Sequence, residues 1–246
     1  MQNQFDPRRP MGSGGSVNAA AVSVPRATRD VGLRSYMLSV YNYMASGILL
    51  TGIVAMLFAN SGMAAQVMAT PLRWLIILAP LGFVMVMSFG MNRLSTGTLQ
   101  ALFWGFATVM GLSMSTIFLV YTGTSIAQTF FAVSAGFAGL SLWGYTTKKD
   151  LSGFGTFLIM GVVGLIVAMV VNIFLKSPAM AMAISAIGVL LFAGLTAYDT
   201  QKIKSMYDHV AGTDMMGKVV IMGALSLYLD FVNMFTFLLN FLGSRD

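Results

Sequence analysis

Two aspartates in this chain stand where a charge is costly to keep. Asp230 has a largely apolar run on each side, Leu225 to Leu229 and then Phe231 to Leu239, and Asp199 closes another apolar run just before Thr200, Gln201 and Lys202. A charged side chain at the middle of a bilayer costs about 2.5–3.5 kcal/mol on insertion scales, so such residues persist mainly where they have a task. A plainer account exists for each. Asp199 would be a helix-end residue that reaches water, and Asp230 a polar side chain bonded to Tyr228, Asn233 or nearby backbone. Taken together the two suggest more. Two carboxylates that meet in a poorly hydrated site cannot both ionise cheaply, so they share one proton. That is a proton-operated latch: the protonated pair ties its two helices together, and the ionised pair repels and attracts a hard divalent cation. Calcium wants six to eight oxygens, and two aspartates supply at most four. Asp199 and Asp230 are thus the candidate sensor and a weak, transient calcium site, suited to passage and not to storage, with no tightly bound cofactor.

The elements that position this pair follow from composition. Of 246 residues 57% are apolar and only 9% are charged, far below the roughly one quarter of a soluble domain. The acids are eight aspartates and no glutamate. The net charge of +6 does not indicate nucleic acid, because the basic residues flank apolar runs and form no patch. With no cysteine and a single His209, placed in a polar loop, neither a thiolate or multi-histidine metal site nor a Ser-His-Asp triad is available. A helix needs about 20 residues to cross the hydrocarbon core. Apolar runs near 36–59, 74–91, 98–121, 125–146, 153–175, 180–201 and 217–242 give seven spans, the third and fourth separated only by Tyr121 to Thr124. Residues 1–30, with Pro7, Pro10, Pro25, four arginines and the run from Gly12 to Ser16, read as a disordered basic tail; residues 31–246 form the membrane domain.

Charge gives the orientation. With the tail inside, Arg8, Arg9, Arg26, Arg29, Arg34, Arg93, Lys148, Lys149, Lys202, Lys204 and Lys218 are internal, and only Arg73, Lys176 and Arg245 are external. Eleven against three places the N-terminus in the cytoplasm and, after seven spans, the C-terminus outside. The sixth and seventh spans are then antiparallel neighbours across a short inner connection. Their aspartates match in depth only if the sixth helix continues past Lys202 to about Asp208, which the stretch Gln201 to Tyr207, free of Pro and Gly, permits. Arg93, at the inner end of the second span, is the nearest basic partner, and its plainer role is an anchor that snorkels to the interface. Ala107, Gly111 and Ser115, and again Gly164 with Ala168, recur every fourth residue and allow close helix contact. The 21 methionines read as apolar bulk and not as a copper path.

Three stretches resemble the bacterial branch of the Bax inhibitor-1 family, the proteins with the transmembrane Bax inhibitor motif. They are Gly144-Tyr-Thr-Thr-Lys-Lys-Asp-Leu-Ser-Gly153, Gly194-Leu-Thr-Ala-Tyr-Asp-Thr-Gln-Lys202 and Gly223-Ala-Leu-Ser-Leu-Tyr-Leu-Asp-Phe231, and the likeness runs from about Arg34 to the C-terminus. The resemblance implies an all-α integral membrane protein of the bacterial inner membrane, six helices around a central seventh. It implies a pH-sensitive calcium leak whose di-aspartyl sensor matches Asp199 and Asp230, with the basic residue that engages it matching Arg93. One departure stands out: the further acid–base pair that some members carry between the second and seventh helices has no counterpart, since the second span lacks an acid and the seventh lacks a base before Arg245.

Two other functions fit parts of the pattern. Some bacterial relatives are linked with a membrane-bound ATP-dependent protease, as substrate or modulator, and the basic tail is a segment such a partner could seize. Intramembrane aspartyl proteases also set two aspartates on adjacent helices. They use Gly-x-Gly-Asp and a Pro-Ala-Leu element, whereas this chain reads Leu227-Tyr228-Leu229-Asp230 and has no such tripeptide. The expectation is a channel, not an enzyme, whose partners are the bilayer, protons and calcium.

Overall fold

The computed structural model describes residues 26–245. Among these, the chain is helical: α1 (Arg26–Asn60), α2 (Met63–Met68), α3 (Leu72–Gly90), α4 (Thr96–Met114), α5 (Ile117–Val120), α6 (Gly123–Thr146), α7 (Ser152–Leu175), α8 (Pro178–Val210) and α9 (Met215–Leu242). Seven of the resulting rods are long and apolar enough to cross a membrane, with α4 and α5 together forming the third. Helices are the natural solution in lipid, where each backbone N–H and C=O must find its partner within the protein.

The helix starts are written in the sequence. Ser95, Thr122 and Ser177 each accept a hydrogen bond from the amide three residues on, at 3.1, 3.2 and 3.3 Å, and so satisfy an orphan donor of α4, α6 and α8. Pro178 follows its cap at the first helical position, where its missing N–H costs nothing. The turn before Gly123 separates the third and fourth spans, so the count of seven holds. Other boundaries differ from the sequence reading. Residues 26–30, read as tail, are helical, and the rest of that tail, 1–25, lies outside the described residues. The short helix α2 was not foreseen. α8 runs nine residues past 201, so His209 sits in its last turn and not in a loop.

The last helix is the axis. Fifteen of its residues are buried, on all sides of the rod, whereas α3 and α7 show most of theirs. Around α9 stand α1, α4, α6 and α8; α3 packs on α4 and α7 on α8. Close approach depends on small residues. A Cβ on Gly111 of α4 would lie 2.8 Å from the Thr51 carbonyl oxygen of α1, and one on Gly144 of α6 would lie 2.3 Å from the Ala197 carbonyl oxygen of α8. The row Ala107, Gly111, Ser115 therefore is a helix contact, buried throughout. The row Gly164, Ala168 holds only at Ala168, which packs on the cluster of Leu165 with the α8 residues Ile184 and Leu191; Gly164 is exposed with open space beside it, and the close approaches of α7 to α8 are made by Gly155, against Tyr198, and Gly161, against Leu191.

Candidate functional site

α8 and α9 are antiparallel and in register along their length. Gly223 of α9 lies on Ile203 of α8, and Phe237 lies on Gly188, so equal distances along one helix match equal distances along the other. Asp230, seven residues beyond Gly223, is therefore level with Thr196, seven residues before Ile203. Asp199 is three residues from that level, about 4.5 Å of helix rise. The continuation of α8 to Val210 is the condition the depth match required, and it is met.

Asp230 is 4% exposed, and its Oδ2 has no hydrogen-bond partner among the described residues. A buried carboxylate oxygen without a donor is costly, so its state calls for an account. The plainer roles for it do not hold. The Tyr228 hydroxyl is bonded to Thr51 Oγ1 at 2.6 Å, and Asn233 Nδ2 donates to the Leu229 carbonyl at 2.8 Å. Asp199, on the neighbouring helix, is half-buried, with Lys202 one turn further along α8. The helix-end reading of Asp199 fails as well, because eleven more helical residues follow it. Asp199 and Asp230 thus stand on adjacent antiparallel helices at nearly the same height.

The structure does not bring Arg93 to them. Arg93 is exposed in the turn between α3 and α4 and forms no ion pair or hydrogen bond with either aspartate among the described residues. The snorkelling anchor describes it better. Nor do the described residues hold three or more acidic or imidazole groups in one cluster, so a cation at the pair would depend on water and backbone oxygens for the rest of its shell.

Sequence reading missed the hydroxyls around the pair. Tyr41 of α1 bonds Ser141 of α6 at 2.6 Å, and Ser141 bonds Thr200 of α8, the residue after Asp199, at 2.9 Å. Tyr36 donates to the Ile203 carbonyl at 3.2 Å. The signal was present, since Ser141 interrupts the buried stripe Val133, Phe137, Gly144 of α6, but nothing in one sequence says which helix such a serine faces. Gln201 was also passed over as a site residue. Its amide donates to the Lys149 carbonyl at 2.8 Å and its carbonyl oxygen accepts from Leu151 N at 2.9 Å, clamping the α6–α7 loop one turn from Asp199.

Comparison with known proteins covers nearly the whole described chain. Residues 33–246 match the family described as inhibitor of apoptosis-promoting Bax1. The chain belongs to the Bax inhibitor-1 family. Among its relatives are an uncharacterized protein of Rickettsia prowazekii (strain Madrid E), 49% identical over 89% of this chain and 93% of the relative, and one of Caulobacter vibrioides, 47% identical over 88% and 91%. The inner membrane protein YbhL of Escherichia coli K12 is 46% identical over 90% of this chain and 94% of its own length. Within the Bax inhibitor-1 match fall all the helices that carry the aspartates, the hydroxyls and the loop clamp.

Proposed function

We propose that this protein is a proton-gated cation leak, with calcium as the permeant ion, and that Asp199 and Asp230 are its sensor. One observation supports this above the others: a carboxylate oxygen of Asp230, buried and without a donor, on a helix whose neighbour carries a second carboxyl less than one turn away in height. A single shared proton supplies the missing donor. In the protonated state a carboxyl–carboxylate bond ties α8 to α9. When the proton leaves, two negative charges face each other at low dielectric, and the repulsion is relieved by separating the helices. We read the conformation in hand as closed: Phe231, Val232 and Phe235, which follow Asp230 on α9, are buried. Opening therefore requires α9 to move, and the ionised pair then offers up to four oxygens to a passing cation.

The membrane is the inner one, as for the Escherichia coli relative, with the basic end cytoplasmic. We take the chemistry as gating and not bond cleavage, because Asp230 stands in Leu227-Tyr228-Leu229-Asp230 and not in the Gly-x-Gly-Asp of the intramembrane aspartyl proteases.

The test is flux. Liposomes holding a calcium dye are compared for wild type, Asp199→Asn and Asp230→Asn from about pH 5 to about pH 8, the range that a pair sharing a proton can cover. Wild-type flux rises with pH, and each amide variant, lacking one of the two charges, loses that dependence. A pH profile left unchanged by both substitutions sinks the reading.

A further inference from the structure

α1 and α6 both stand against α9 but hardly pack on each other; what bridges them is the hydroxyl bond from Tyr41 to Ser141. Between them lie three cavities of about 580, 440 and 330 Å³. They join end to end, the first and second sharing Phe137, the second and third sharing Gly52, Phe130 and Phe231. The result is a fissure along most of the length of α1, open to the side, with Phe231 in its floor. Its walls are almost wholly apolar except at one end, where Asp30 and Arg34 line the mouth.

That mouth carries one acid and one base. Both side chains are exposed, four residues apart on α1, and among the described residues neither is ion-paired; the neighbouring Arg29 is taken by Asp208 at 2.5 Å. We propose that the fissure is a binding site for a zwitterionic phospholipid of the phosphatidylethanolamine type. Arg34 meets the phosphate, Asp30 meets the ammonium, and an acyl chain runs down past Phe137 toward Gly52. The pairing of charges distinguishes this ligand from an anionic phospholipid, which Asp30 repels. Charge also distinguishes it from an apolar helix of another protein, which would leave both groups of the mouth without partners, and each cavity is of the size that holds a small ligand or part of a chain. The site does not depend on the sensor, which lies on the α8 side of α9.

The experiment uses full-length protein solubilised from vesicles of equal phosphatidylethanolamine and phosphatidylglycerol, with the retained lipid measured by native mass spectrometry. Wild type keeps phosphatidylethanolamine in excess. Gly52→Phe occupies the fissure, because a Cβ at Gly52 meets nothing within 4 Å, and it retains less lipid of either kind while unfolding at the wild-type temperature. Asp30→Lys makes the mouth wholly basic and shifts the ratio toward phosphatidylglycerol by about fivefold or more, the weight of one of the two unit charges that the reversal changes. Should Gly52→Phe fail to fold, the headgroup ratio in Asp30→Lys still decides. A ratio unchanged by Asp30→Lys, equal retention of both lipids by wild type, or a second protein chain held in place of lipid overturns the proposal.

Discussion

At the scale of single residues, buried hydroxyls and carboxyls follow one rule: each needs a partner, and the cost falls on whichever group is left without one. Thr51 and Tyr228 show how uneven that cost can be. Thr51 Oγ1 donates to the Ala107 carbonyl at 2.8 Å and contacts the Tyr228 hydroxyl at 2.6 Å, the bond that ties Tyr228 to α1. Thr51→Val strands a fully buried phenol and is expected to cost about 1–3 kcal/mol; Tyr228→Phe leaves Thr51 its carbonyl partner and costs about 1 kcal/mol. Thermal unfolding in detergent orders the two, and equal losses would show that the phenol finds another acceptor. Asp150 offers the contrasting case of an acid that cannot serve as the sensor. The Ser152 hydroxyl and amide hold its carboxyl below the ordinary carboxylate value of 3.8. A depressed folded value means that its contribution is complete above 3.8 and is lost only as pH falls below that. Asp150→Asn is therefore expected to leave the pH midpoint of calcium flux in place. Of the site, the two aspartates were legible because the bilayer makes charge conspicuous. Arg93 could be read two ways because a base at a helix end satisfies the anchor rule whether or not it also reaches an acid, and its exposed place in the α3–α4 turn favours the anchor.

Elements were legible where composition alone decides them. The seven spans, and the break at Tyr121 to Thr124, come from the length that lipid imposes and from turn residues. The ends were less so, because hydropathy marks where a helix leaves lipid and not where it stops. α8 carries Lys202, Lys204 and Asp208 on helix that projects past its apolar run. That projection matters, since its Gln201 holds the α6–α7 loop through both ends of one amide. The clamp links the loop to the helix that carries Asp199. Gln201→Ala removes two hydrogen bonds of about 1 kcal/mol each. The loop then opens locally more often, and trypsin is expected to cut after Lys148 or Lys149 roughly thirtyfold faster. Unchanged cleavage would mean that the Asp150–Ser152 turn holds the loop without the clamp.

For the whole molecule, what a single sequence leaves undetermined is which helix lies inside. The average hydropathy of α9 is lower than that of α7, yet α9 is the buried axis and α7 the outer rod. In lipid an apolar surface gains nothing by being hidden, so hydropathy does not rank burial; small and polar residues mark the contacts instead. Placement of α9 at the centre came from the resemblance, and its register on α8 came only from the coordinates. Orientation is different, because it is read from charge and not from geometry. Both ends of the rods are exposed, but Lys148, Lys149, Lys202, Lys204 and Lys218 gather at one of them and Arg73 and Lys176 at the other. The chain has no cysteine, so one introduced thiol reports its own side. Ser205→Cys lies exposed on α8 at the basic end, and Met63→Cys, 54% exposed in the native chain, lies in α2 at the opposite end. In intact cells whose outer barrier is opened, a membrane-impermeant maleimide is expected to label Met63→Cys at once and Ser205→Cys only after the inner membrane is permeabilised. The reverse order would place the basic end outside. The α8–α9 connection would then face the exterior, and the proton sensed by Asp199 and Asp230 would come from the medium.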